Sequence, residues 1–561
     1  MSTVIPLIDS LRSYRPAWLV QDLLAGLAVA AVGLPSAIAY PGLAGLPPEV
    51  GLYAAIAAVL GYALFGSSRQ LMTGPDAGTV MMLAAVLASL GVSSVQDRMV
   101  ASAAIAIIVG VLCVLAGLLR LGFVANLLSR PILTGFMTGV ALSILVGQIG
   151  RFTAVKIQAD GLFPPLFELA GKLNQVHVPT LALGASLFVA LQLLRAWRPA
   201  IPAPLVVVVA ATALSALLDF PRLGISVVGD VPPVLPTPSL PIPHGLPLDE
   251  LVLGAGAVML VSFGAGIISA RSFAAKGRYT LDANRELVGF GAANLASGLL
   301  GGFAVTSSDS RTSVNLLTGG KTQVAGLVSA AALTVTILFL TDALALLPVP
   351  ALGAILASAA VSLIDLQTLR ELWRVSRMEF AFAMISMVGV VAFGVLQGVI
   401  AAVAATLLYL VVKGMKPRDA MLGVIPGREG FYKLHRHPDA RPIPGIAIYL
   451  LQGPLLFLNA DYVKGRLERV MGELPPGTEW LIFDASATVQ IDSSAVVALD
   501  DIRALAEERG LRFGIAGLHR EPGDTLVRSR LAARVGQEMI FEDLEDVVVA
   551  YEGRASRVKA G

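Results

Sequence analysis

The stretches "TGPDAGT" (73–79) and "TSSDSRT" (306–312) stand 233 residues apart, share the frame T-x-x-D-x-x-T, and each opens an apolar run. Gly74-Pro75 does not suit the interior of a continuous helix, whereas proline fits a first helical turn. In the second copy Thr306, Ser307, Ser308 and Asp309 are all residues whose short polar side chains cap exposed backbone N–H groups. Both phrases therefore read as breaks at which a new helix starts. A helix start presents unpaired N–H donors and roughly half a positive charge, the physical basis of anion binding at such ends.

The surrounding chain is apolar: 56% of its 561 residues are hydrophobic, 14% are charged, and the mean hydropathy is +0.77. These values indicate a polytopic membrane protein. Apolar segments fall near 20–40, 50–66, 72–91, 99–119, 123–149, 178–195 and 201–218, then near 250–273, 284–301, 306–318, 322–342, 350–365, 378–395 and 396–413. About fourteen spans fit, each needing roughly 20 residues to cross. With a cytoplasmic N-terminus (1–19), Arg12, Arg15, Arg69, Arg120, Arg195, Arg198, Lys276, Arg278, Arg285, Arg370 and Lys413 all fall inside, while few cations, such as Arg98 and Arg151, fall outside. The first residues lack the apolar core and cleavage site of a secretory signal. The single cysteine, Cys113, excludes an intrachain disulfide and a cysteine-based metal cluster.

The transport region is expected over 20–415, as repeats of about 20–218 and about 250–414, each phrase being third in its set of seven segments. An odd number of spans per repeat makes the repeats inverted, and transporters built this way hold substrate near the midplane between broken helices. Arg311 adds a full charge to the second helix start, and an ionisable residue within a span marks a functional site by default. Gly78 stands where the second copy has Arg311, so the first copy is expected to leave room beside that charge. The plainer alternative is that these polar residues only cap kinks or bond between helices.

After Lys416 the composition changes: 416–444 is polar and Pro-rich and reads as a linker, 445–555 reads as soluble α/β, and 556–561 as a tail. Strand-like runs are "IAIYLL", "LLFLN", "WLIFDAS" and "LRFGIAG", with helical patterns over 461–471 and 493–508.

Three motifs carry a family resemblance. "LPSAIAYPGLAGLPPEVGLYAA" resembles the first-span signature of the SulP anion transporters, "SSDSRTSVN" followed by "GGKTQVAG" resembles their third span of the second repeat, and "WLIFDASATVQIDSSAVVALDDI" is similar to the STAS domain. The resemblance runs over almost the whole chain. It implies core spans 1–4 and 8–11, gate spans 5–7 and 12–14, elevator-like movement of the core, and a homodimer. Carried over, it places the substrate site at Pro35, Ser36 and Tyr40, at Gly74, Pro75, Asp76 and Ala77, at Ser262 and Ala265, and at Ser308, Asp309, Ser310 and Arg311. Tyr40 is also of the type that anchors at a membrane interface, and Arg271 of the type that snorkels from a span end.

One departure bears on coupling. Many family members carry a carboxylate in span 8, associated with proton or sodium coupling, where this chain has Ala265. Asp309, with Asp76 as second candidate, is the expected replacement; the alternative is that both are helix caps or partners of Arg311. No cofactor or metal is expected, only a possible coupling H+ or Na+. In the STAS domain, Ser493 and Ser494 occupy the D-S-S turn that is phosphorylated in related anti-sigma antagonists, but Asp492 or Ser493 can equally cap the next helix.

The absence of zincin, P-loop, C-x-x-C and nucleophile-elbow motifs argues against an enzyme or ATP-driven pump. The expected function is secondary active transport of a small inorganic or organic anion (sulfate, bicarbonate, chloride or dicarboxylate) across the inner, cytoplasmic membrane. The expected partners are that anion, membrane lipid and a second copy of the chain, with a cytoplasmic protein bound by the STAS domain as a further candidate and no nucleic acid. A nucleobase-type symporter or an anion channel on the same fold, and a STAS-linked anion sensor, are the alternatives.

Overall fold

The computed structural model describes residues 14–122, 130–159, 162–197, 202–243, 245–277 and 279–560. Most of the expected N-terminal segment, with Arg12, and also Arg198 and Arg278, lie outside these residues. The chain divides into two compact units, Met1–Ala405 and Thr406–Gly561.

In the first unit, continuing into the second, every expected apolar segment coincides with a helix. They are α1 (Leu19–Ala39), α2 (Pro48–Phe65), α3 (Ala77–Ser89), α4 (Val95–Leu118), α5 (Arg130–Gly147), α6 (Val178–Trp197) and α7 (Ala203–Leu218). The second set is α8 (Leu248–Gly277), α9 (Ala283–Leu299), α10 (Asp309–Leu317), α11 (Val324–Phe339), α12 (Val349–Leu363), α13 (Arg377–Phe393) and α14 (Val395–Met415). Short connecting helices are left unnumbered. Among the described residues, seven helical stretches are long and apolar enough to cross a bilayer, and Ala77–Ser89, Ala203–Leu218 and Val324–Phe339 are shorter apolar helices.

The helices sort into two groups by their packing. In one, α9 packs on α4 and α2, α11 on α1 and α2, and α8 on α3 and α4; in the other, α13 packs on α5, and α12 on α5 and α6. Small residues permit this, since bilayer helices are drawn together by close backbone approach rather than by a hydrophobic driving force. At the α4–α9 crossing a Cβ on Gly110 would lie 2.9 Å from the Gly291 carbonyl oxygen, and one on Gly291 equally close to that of Gly110.

Two fully buried carboxylates tie the repeats together. Asp22 of α1 accepts from the Lys321 and Thr322 N–H groups (2.6 and 3.2 Å) and the Thr322 hydroxyl (2.7 Å), just after α10. Glu286 of α9 accepts from the Tyr62 hydroxyl (2.7 Å), the Ser67 hydroxyl and N–H (2.5 and 3.0 Å) and the Ser68 N–H (3.1 Å), on the loop leading to the first broken helix. A buried charge is tolerated where donors converge on it in this way.

The second unit, taken by itself, holds a six-stranded mixed sheet. Its strands are β3 (Arg418–Gly423), β4 (Tyr432–Lys433), β5 (Ile446–Gln452), β6 (Trp480–Asp484), β7 (Arg512–Ala516) and β8 (Ile540–Phe541), in the order β4-β3-β5-β6-β7-β8, with β5 to β8 parallel. Helices α15 (Ala460–Gly472) and α16 (Ser493–Glu508) lie where helical patterns were expected. Two expectations are corrected. The stretch read as a linker, 416–444, supplies β3, which pairs antiparallel with β5 and buries Ala420, Leu422 and Gly423; its charged first two residues, Arg418 and Asp419, disguise the strand. "LLFLN" is no strand but a turn into α15 with a single bridge, Leu455 to Ile491, because Asn459 closes it by accepting from the Leu456 N–H (2.9 Å).

Replacing Glu286 by Ala would leave several donors without an acceptor, at about 1–3 kcal/mol each. A clear fall in the detergent-solubilised melting temperature is expected for Glu286→Ala and a smaller one for Glu286→Gln, read by intrinsic fluorescence.

Candidate functional site

The two opening phrases meet. Thr73–Gly74 forms β1 and Thr306–Ser307 forms β2, paired antiparallel with Thr73 opposite Ser307 and Gly74 opposite Thr306. In the shared frame Thr73 corresponds to Thr306 and Gly74 to Ser307, so the pairing is the one that a two-fold axis between the copies generates. The first Thr of each copy anchors the break: Thr73 Oγ1 donates to the Ala58 carbonyl of α2 (3.0 Å) and Thr306 Oγ1 to the Ser262 carbonyl of α8 (2.6 Å). The Ser308 N–H donates across to the Met72 carbonyl (2.8 Å), and Thr312 Oγ1 accepts from the Met72 N–H (3.0 Å).

The frame's aspartates diverge in role. Asp76 caps α3, accepting from the Gly78 and Thr79 N–H groups at 3.0 and 3.3 Å. In the second copy the helix starts one residue earlier. Ser308 is the cap there, accepting from the Arg311 N–H at 3.5 Å, and Asp309 is already the first helical residue, its carboxylate accepting from the Ser269 hydroxyl of α8. The capping role expected as an alternative therefore applies to Asp76 and not to Asp309. Ser308, directly before the aspartate, takes the cap position, which the sequence frame alone did not separate from its neighbour.

Arg311 is 4% exposed, and its Nη2 donates to the Pro75 carbonyl of the other copy at 2.9 Å. It forms no ion pair among the described residues, and its Nε has no hydrogen-bond partner. Room for it comes from Gly74 and from Gly33 of α1. A Cβ on Gly74, whose φ is +148°, would fall 2.6 Å from Nη1, and a Cβ on Gly33 would fall 3.1 Å from Cδ. Gly78, expected to leave that room, instead accommodates Met137 of α5, whose Cε would lie 3.0 Å from an added Cβ.

A cavity of about 570 Å³ opens over these helix starts. Of the expected residues, Tyr40, Pro75, Asp76, Ala77, Ala265, Ser308, Asp309 and Ser310 line it. Gly74, Pro35, Ser36, Ser262 and Arg311 sit behind the wall. Pro35 is buried within α1, the Ser36 hydroxyl is turned back to the Gly33 carbonyl (2.8 Å), and the Ser262 hydroxyl to that of Met259 (3.2 Å). Tyr40 lines this cavity beside Pro75 and Asp76. Arg271 is exposed and outside the lining.

Sequence reading missed the opposite wall, formed by Arg130, Thr134 and Met137 of α5, Arg195 of α6, and Ser362 and Asp365 at the end of α12. Their spacing carries no motif; only the fold brings three separate helix ends together. A second cavity, of about 720 Å³, lies further along α3 and α5, lined by Met81, Ala84 and Ser143 with Gln148 and Arg151, so Met137 resting on Gly78 falls between the two.

Comparisons with known proteins bear on the family and the fold. The Sulfate permease family profile matches residues 19–386, and the STAS domain profile matches 437–547. A probable sulfate transporter of Mycobacterium tuberculosis is 38% identical over 549 residues, covering 98% of each chain. A chloroplastic sulfate transporter of Arabidopsis thaliana is 31% identical, covering 98% of this chain and 82% of its own. In structure, the murine Solute Carrier 26 family member A9 anion transporter in its inward-facing state superposes with a TM-score of 0.90 at 22% identity, over 98% of this chain and 94% of its own. The transmembrane domain of a cyanobacterium bicarbonate transporter gives 0.61 at 25% identity, over 69% and 98%.

Gly74→Ala places a methyl group where the Arg311 guanidinium lies. It should lower the melting temperature by several degrees, whereas Gly301→Ala, also at positive φ (+70°) but with no atom within 4 Å of the new Cβ, should cost only backbone strain of about 1–2 kcal/mol. Differential scanning fluorimetry of both variants in detergent checks this.

Proposed function

The chain belongs to the sulfate permease family, an anion-transporter family whose members here are not enzymes, and carries a C-terminal STAS domain; from that premise we propose that it is a secondary active transporter of a small oxyanion, with sulfate the first candidate. The observation that carries the reading is the crossing of β1 and β2, which brings the N-terminal ends of α3 and α10 to one cavity with Arg311 fixed between them. The names of relatives that align end to end favour sulfate, and bicarbonate follows from the structural neighbour.

The helices carrying the two phrases form the moving core, and α5, α6, α12 and α13 belong to the gate against which it slides. The cavity opens at the end marked by Arg130, Arg195 and Asp365. The Lys and Arg asymmetry puts that end in the cytoplasm, so this conformation is inward-facing. The same asymmetry supports a multi-pass protein of the cytoplasmic membrane with its STAS domain inside, and the family resemblance supports a homodimer.

Coupling follows from charge. Within the core, two helix starts contribute roughly +0.5 each, Arg311 +1, and Asp76 and Asp309 −2 when ionised, so the core without an anion is near neutral. An anion carried with it leaves the core negative in a poorly hydrated place, which is unfavourable unless a proton or sodium ion accompanies it. Asp309 is the coupling group. It lines the cavity and is not used as a cap, whereas the Asp76 carboxylate is held by two backbone N–H groups. In the STAS domain, Asp492 caps α16 by accepting from the Ala495 N–H (2.9 Å), leaving Ser493 and Ser494 exposed as regulatory phosphorylation sites.

Uptake of labelled sulfate into proteoliposomes, with imposed pH and sodium gradients, tests the reading. Wild-type uptake should depend on one of the two gradients, and Asp309→Asn should abolish that dependence. Unchanged dependence in the variant removes Asp309 from coupling.

A further inference from the structure

We infer that Arg130 and Arg195, on the gate wall of the cavity, set the charge preference of the inward-facing site and favour divalent over monovalent anions. The inference rests on the transport reading above and concerns the same cavity. Both arginines line it opposite the helix starts, and both are tied to gate elements: Arg195 Nη1 donates to the Ser358 carbonyl of α12 (3.2 Å), and Arg130 Nη2 to the Thr368 hydroxyl (3.2 Å). Neither forms an ion pair among the described residues. The carboxylate at that end, Asp365, caps the next helix, accepting from the Thr368 N–H (2.9 Å) and hydroxyl (2.6 Å), and also attracts Arg130 electrostatically without a direct ion pair, so it offsets part of the arginines' charge. The gate wall thus carries +2 from the arginines and −1 from Asp365, while the core wall carries Asp76 and Asp309 at its surface with Arg311 buried behind.

This division of charge has a mechanical consequence. When the core moves, the anion leaves Arg130 and Arg195 behind, so their attraction acts on entry and exit at the inner face and not at the outer one. At a separation of about 7 Å in water-like surroundings, one fixed charge changes the affinity of a monovalent anion by roughly threefold and of a divalent anion by roughly sevenfold. Both arginines are exposed, so their effect is screened by salt, with a Debye length of about 8 Å at physiological ionic strength.

The test compares inside-out with right-side-out membrane vesicles carrying the full-length protein, using labelled sulfate and labelled chloride. At low ionic strength, for Arg195→Gln and Arg130→Gln, the half-saturating sulfate concentration at the inner face should rise by up to roughly sevenfold and that of chloride by up to roughly threefold. The outer-face values should stay unchanged, the difference should shrink in concentrated potassium gluconate, and Arg195→Lys and Arg130→Lys should stay near wild type. Equal shifts at both faces, equal shifts for both anions, or Lys variants as impaired as Gln would overturn the inference. No transport of either anion by the unchanged protein would overturn the transport reading first, and this inference with it.

Discussion

Two strands of two residues each, broken out of a bundle of apolar helices, must find their hydrogen-bond partners inside the protein, because hydrocarbon offers none. β1 and β2 find them in each other, and the Ser308 N–H extends the pairing to the Met72 carbonyl. That crossing fixes where α3 and α10 begin and aims both at one cavity. It also places the Pro75 carbonyl where the Arg311 guanidinium can reach it. The struts from Asp22 and Glu286 hold the loops on either side of the crossing, each from the opposite repeat.

The site that results is electrically divided. A guanidinium buried without an ion pair among the described residues, beside two helix starts that are themselves positive, is expensive, and here the cost is partly offset by a backbone carbonyl and an electrostatic neighbour in Asp76. Its partner surface across the cavity carries two arginines that form no ion pair among the described residues, on helices of the α5, α6, α12 and α13 group, which pack chiefly on one another. Under the proposed elevator-like transport, an anion bound between the walls feels two sets of charges, only one of which travels with it, and that separation is the physical reason for proposing a cotransported cation.

Much of this was legible in the chain. Gly74-Pro75 and the serine-rich second copy announced the breaks, since neither fits a continuous helix, and apolar run lengths located α1 to α14 but not the short connecting helices. What remained hidden depended on the partner. Asp76 and Asp309 look alike in the shared frame, yet a one-residue shift of the helix start makes one a cap and frees the other. Gly78 matched Arg311 in spelling, but the room is made by Gly74 and Gly33, from a strand and a helix that only the fold brings alongside. Arg130 and Arg195 lacked any motif, being three-dimensional neighbours at separate helix ends. β3 was disguised by its charged first residues, Arg418 and Asp419, shortly after the apolar run of α14.

The central claim is that the two helix starts and Arg311 form one anion site. It is tested most directly by a crystal structure of the protein with selenate, a heavier analogue of sulfate, using anomalous scattering from selenium. One peak among Ala77, Ser308 and Ser310 is predicted, with its occupancy lost in Arg311→Ala. A peak confined to other parts of the protein, or none at saturating selenate, would contradict it.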